Sequence, residues 1–88
     1  MTTMQIATIG LELGSRGAER VGEYMILDTG HGSCVKVWVF DDGNGYGFKV
    51  FADGYKRYEC GYNIEEFSIS LFRERLEQMV RMAKSYTE

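Results

Sequence analysis

Asp28, Thr29 and Gly30 follow directly on the apolar run Met25-Ile26-Leu27. A carboxylate held in a turn after a strand is a candidate general acid, and a second copy of that turn would let two carboxylates share one proton. A second set of residues suits stacking: Trp38 and Phe40 end one apolar run, and Tyr46, Phe48 and Lys49 open the next. Each ring face can take a nucleic-acid base at about 1–3 kcal/mol, with lysines on the phosphates. A third set mixes acids and tyrosines: Asp41, Asp42, Tyr46, Tyr55 and Tyr58. Tyrosine offers a rigid apolar body and a polar tip, so such a set suits a protein interface with a charged rim. His31 is the only histidine, and Cys34 and Cys60 are the only cysteines. Neither a zinc site nor a Ser/His/Asp set is spelled by that inventory, so no metal, no cofactor and no enzymatic activity are expected.

These candidates need elements to carry them. Eighty-eight residues make one domain, 1–88, with a small core. An apolar fraction of 44% excludes a disordered chain. The net charge of -3 gives no general attraction to phosphate backbones. No charged, apolar and cleavage regions open the chain, and no apolar run approaches the ~20 residues of a membrane helix. The expectation is a soluble, cytoplasmic protein with no membrane partner. Cys34 and Cys60 sit in apolar stretches; one disulfide is open to them, and two free thiols fit a reducing compartment better.

Periodicity predicts strands over about residues 4–62 and a helix over about 68–86. Ala7, Ile9, Leu11 and Leu13 alternate within Met4–Leu13, a strand period. "GSRGAERVG" reads as a mobile loop, and Glu23–Leu27 as a second apolar run. Cys34–Phe40 is the strongest strand, with Val35, Val37 and Val39 on one face and Lys36, Trp38 and Phe40 on the other. "DDGNG" and Asp53-Gly54 are turns between antiparallel neighbours. Leu71 or Phe72, Leu76, Met79, Val80 and Ala83 then recur at three and four, a helical stripe. Its start is marked either by a capping box at Asn63 and Glu66 or by a later cap at Ser68 or Ser70. The predicted fold is α+β, an antiparallel meander of four to five strands with one C-terminal helix packed on one face.

Three resemblances bear on function. The size, acidity and element order are similar to small phage anti-CRISPR and other anti-defence proteins. That resemblance implies a non-enzymatic inhibitor, encoded by a phage or mobile element, which covers a surface of a larger protein or nucleoprotein complex. The interface expected for it is Asp41, Asp42, Tyr46, Tyr55 and Tyr58. Second, "GYGF" after the aromatic strand resembles the first nucleic-acid motif of cold-shock domains, and the aromatic strand of RNA-recognition domains. It implies a single-strand-binding face built from Trp38, Phe40, Tyr46, Phe48 and Lys49. Third, "ILDTG" resembles the active-site loop of retroviral-type aspartic proteases. It implies a homodimer with Asp28 as the acid, Thr29 bracing the loop and "GNGYGF" as a flap. The inhibitor reading ranks first, and the chain is expected as a monomer or homodimer.

Overall fold

The computed structural model describes residues 2–87, with the Glu66 side chain outside the described set. A helix α1 (Thr3–Ser15) comes first, and β1 (Glu19–Val21), β2 (Tyr24–Gly30), β3 (Ser33–Val39), β4 (Gly45–Ala52) and β5 (Tyr55–Asn63) follow. A single 3₁₀ turn (Ile64–Glu66) leads into α2 (Ile69–Ser85). The five strands form one antiparallel meander in chain order. The architecture is α+β, as the periodicity predicts.

The connections follow from local chemistry. At the β4–β5 turn both central residues have positive φ, Asp53 at 54° and Gly54 at 83°, the conformation that matches strand twist in a two-residue hairpin. The β2–β3 turn likewise puts His31 at 56° and Gly32 at 84°. Ser68 caps α2, its side chain accepting from Leu71 N–H at 3.1 Å. Asn63 caps the 3₁₀ turn instead, accepting from Glu65 N–H at 3.0 Å. The Glu66 half of the expected capping box lies outside the described residues.

The core lies between α2 and one sheet face. Val35, Val37, Tyr46, Phe48 and Val50 from the sheet meet Phe72, Leu76, Met79 and Ala83 from the helix, and α2 crosses β2, β3 and β4. Phe72 stacks on Phe48 with ring centroids 5.8 Å apart and meets Tyr46 edge-on at 5.4 Å. Such pairs add to the area they bury. The one polar atom of this cluster is satisfied, because Arg75 Nη1 donates to Tyr46 Oη at 2.9 Å.

The N-terminal segment differs from its expected form. Met4–Leu13 is helical, not a strand, and the sheet spans residues 19–63. Ile9 and Leu13 are the two buried residues. Their spacing of four satisfies a helix and a strand equally, so it cannot separate the periods. Leu11, which alternation would bury beside them, is 75% exposed. The helix is started by a reciprocal cap. Thr2 Oγ1 accepts from Gln5 N–H at 3.2 Å, and Gln5 Oε1 accepts from Thr2 N–H at 2.9 Å. The segment expected as a loop, "GSRGAERVG", contains the short strand β1.

A charged clamp ties α1 to α2. Glu12 accepts from Arg73 Nε at 3.0 Å and pairs with Arg16, the C-cap residue of α1, at 3.1 Å. Its side chain is only 12% exposed. Burial pushes the carboxyl up, but hydrogen bonds and charge from Arg73 and Arg16 outweigh it and hold the group below its usual value.

Two outcomes follow. Phe72→Ala removes a fully buried ring and should lower stability by about 3–5 kcal/mol, measured by urea unfolding. Glu12 has a depressed native pKa, so its contribution is present above the unfolded-state carboxyl pKa and is lost as pH falls through the native one. Stability should therefore drop as pH falls through and below the ordinary glutamate pKa of about 4.3, and Glu12→Gln should flatten that drop. An unchanged slope in the variant would remove Glu12 from the account.

Candidate functional site

Among the described residues no helix covers the second face of the sheet. The strand pairing settles which residues occupy it. Ile26 faces Lys36, Asp28 faces Cys34, Lys36 faces Lys49, and Lys49 faces Glu59. Trp38 lies opposite Gly47 and Cys34 opposite Phe51. Alternation puts all of these on the face away from α2.

An aromatic row runs along this face. Tyr24 meets Trp38 edge-on at 5.8 Å, and Trp38 meets Phe40 at 5.7 Å. All three rings are half-buried without a covering element. The sheet makes room by omitting side chains beneath them. A Cβ on Gly47 would come within 2.5 Å of the Trp38 ring, and one on Gly61 within 2.8 Å of the Phe40 ring. A Cβ on Gly45 would meet both the Tyr62 carbonyl, at 2.1 Å, and the Phe40 ring, at 3.0 Å. These glycines are needed for close approach of ring to backbone.

Two lysines sit on the rings. Lys49 Nζ is 4.9 Å from the Trp38 ring centre and 5.0 Å from that of Tyr24, and it donates to Tyr24 Oη at 2.7 Å. That hydrogen bond is the main reason its ammonium titrates above the ordinary lysine value. Lys36 Nζ is 4.3 Å from the Phe51 ring centre. Glu59 pairs with Lys56 at 3.1 Å and approaches Lys49 at 3.9 Å. The charges of this face are thus matched by rings or by an acid on the same face. Burial pushes the Cys34 thiol up, with Asp28 adding to it and Lys36 opposing, so this thiol is a poor nucleophile.

The expected stacking set is split by the sheet. Trp38, Phe40 and Lys49 share the open face, whereas Tyr46 and Phe48 are fully buried on the opposite, helix-covered face. Two residues of the motif "GYGF" therefore pack the core, and its two glycines seat the Phe40 and Trp38 rings. The expected protein interface is also dispersed. Tyr46 is internal. Asp41 and Asp42 are exposed at the β3–β4 turn, where Asp42 Oδ1 accepts from Asn44 N–H at 2.9 Å. Tyr55 and Tyr58 are exposed at 69% and 40% on β5. Tyr55 stands at the far end of β4 from the aspartates, about 25 Å away at about 3.4 Å per residue. These residues do not form one patch.

Asp28 lies in β2, exposed, and its Oδ1 accepts from Gly30 N–H at 2.7 Å. Thr29 is hydrogen-bonded to Ser33 across the hairpin. "GNGYGF" runs into β4, the second strand from the edge, and is no free flap. Cys34 and Cys60 are both free thiols, on opposite faces of the sheet. Burial, with the Cys60 thiol beside it, pushes the Tyr62 phenol up to about 12 against the opposing charge of Arg75. Among the described residues no three His, Cys, Asp or Glu side chains gather as a metal site, and no helix is long and apolar enough to cross a membrane.

Tyr24, Lys36 and Phe51 complete the open face, and motif reading did not select Tyr24 or Phe51. The signal for Phe51 was its odd-numbered alternation with Gly47 and Lys49 along β4. Tyr24 required the β2–β3 register. No protein-family model, curated protein or solved structure matches this chain.

Gly47→Ala tests the ring seat. The displaced atoms are the far end of the only tryptophan, so the ring should swing outward with the fold retained. Red-shifted emission and faster iodide or acrylamide quenching of Trp38 are the expected readouts. Unchanged emission would show that the ring does not rest on Gly47.

Proposed function

We propose that this chain is a small non-enzymatic binding module that docks on a larger protein through its open sheet face. The observation that carries this reading is the uncovered row Tyr24–Trp38–Phe40, seated on glycines and flanked by lysines whose charges are already matched. A half-buried aromatic patch with a polar edge has the composition of an interface core and its rim. Docking there would cover a partner's surface, the mode of action of the phage inhibitors that the chain resembles in size and acidity. An anti-defence role against a host machine belongs to this proposal.

A single-stranded nucleic acid is the second reading, because Trp38, Phe40 and Lys49 do share one face. Three features favour protein over nucleic acid. The rings are inclined to one another by 64° and 48°, so they offer no common stacking plane. The Lys49 and Lys36 ammonium groups lie against ring faces. Glu59 and Asp28 share the face and repel phosphates.

The test is capture of partners from host lysate on the tagged protein, with and without nuclease, followed by affinity measurement on the purified partner. One stoichiometric protein that survives nuclease is expected. Phe40→Ala and Lys49→Glu should each retain the far-ultraviolet circular dichroism and weaken its binding, Phe40→Ala by about 30-fold if it anchors the interface. Asp41→Lys with Asp42→Lys should leave that affinity within about threefold, because the β3–β4 turn is outside the face. Recovery that collapses with nuclease, together with quenching of Trp38 by a single-stranded oligonucleotide, would replace the protein reading by the nucleic-acid one.

A further inference from the structure

We propose that α1 is a self-association surface, and that a second copy of this chain pairs with it antiparallel about a two-fold axis. The outward side of α1 is unusually apolar for an exposed helix. Met4 is 79% exposed and Leu11 75% exposed. The only charged residue of the helix, Glu12, is turned to Arg73 and Arg16 and lies off this side. Ile9 and Leu13, on the inward side, hold α1 in the core.

The exposed row is Met4, Ala7, Leu11 and Gly14. Its spacing of three, four and three is the spacing of a helix–helix seam. Size alternates along it: large, small, large, small. When two such rows run antiparallel with Ala7 of one chain against Leu11 of the other, Met4 falls against Gly14. Every layer then sets a long side chain against a small one, and the same operation satisfies both chains, as a two-fold interface requires. A parallel pairing would set Leu11 on Leu11 and Gly14 on Gly14, which leaves one layer crowded and another empty. A Cβ on Gly14 would meet nothing within 4 Å, so the space above it is open to a partner's methionine. The antiparallel direction also brings each helix N-terminus beside the partner's C-terminus, a favourable dipole arrangement. Because the face is uncharged, no repulsion opposes the pairing.

A helix of 13 residues is about 20 Å long. The contact is therefore at the small end of specific interfaces, and the dimer is a weak, concentration-dependent one. α1 reaches the core on the side of the sheet that α2 covers, so pairing leaves both open faces free.

Sedimentation equilibrium on the full chain tests this. The wild type should move from 10.1 kDa towards twice that mass as its concentration rises through the micromolar range. Ala7→Glu and Leu11→Lys alter exposed positions, so each should keep the wild-type circular dichroism and melting temperature. Each alone should weaken dimerisation at least about tenfold. Mixed in equal amounts, they should restore a heterodimer, because the new acid of one chain faces the new base of the other only in the antiparallel register. A wild type that stays at 10.1 kDa up to about 1 mM overturns the proposal. So does a dimer that both single substitutions leave intact, and so does a mixture that stays monomeric. A dimer broken by Phe40→Ala and not by Leu11→Lys would move the interface to the open sheet face and likewise overturn it.

Discussion

A five-stranded sheet has two faces to shield, and the single long helix α2 can shield only one. Most of the structure follows from that constraint. On the covered face, Phe48 and Tyr46 receive Phe72, and the buried phenol of Tyr46 is satisfied by Arg75. On the other face the sheet must shield itself. It does so by placing Trp38 and Phe40 over backbone that carries no side chains, at Gly45, Gly47 and Gly61. Aromatic rings thereby take the place of a second layer of structure. They are shielded enough to be tolerated in water and exposed enough to be available to a partner.

The electrostatics of the open face follow the same logic. Lys36 and Lys49 cover ring faces that would otherwise meet solvent, and Glu59 balances Lys49 and Lys56. Long lysine stems add apolar cover while their charged ends stay wet. The face is consequently close to neutral although the chain carries a net charge of -3. The excess acid sits elsewhere, at turns such as Asp41-Asp42 and Asp53. The long edge strand β5 is protected by different means. Between Val50 and Phe51 the register shifts, leaving Arg57 as an extra residue, and Lys56, Arg57 and Glu59 place charge along the edge. A bulge and charges discourage further strand pairing. Among the described residues, no element covers the open sheet face or the outer side of α1.

The helix α1 shows how a local pattern can point to two structures. Ile9 and Leu13 suit either period, and Ala7 and Leu11 complete an alternation that never forms. Thr2 and Gln5 carry the deciding local information, a reciprocal cap three residues apart. Tertiary contacts reinforce it through Arg73, which lies 61 residues from Glu12 and fits a helical, not an extended, presentation of that carboxylate.

The sequence by itself determined the strand meander from residue 24 onward, its turns and the C-terminal helix. Alternation, positive-φ turn residues and a helical stripe are all local chemistry, and each agrees with its neighbours, whereas the choice of Ser68 among the offered caps came from the structure. It also determined that Trp38 and Phe40 share a face with Lys36. Only the tertiary structure decided which face of the sheet α2 covers. Both faces of β3 are rich in apolar residues, so hydropathy alone could not choose between the valine side and the aromatic side. That choice sent Tyr46 and Phe48 inward and left Tyr24 beside Trp38, with Phe51 further along the same open face. Residue types are local, but adjacency across strands and layers depends on register and on which face of the sheet the helices cover.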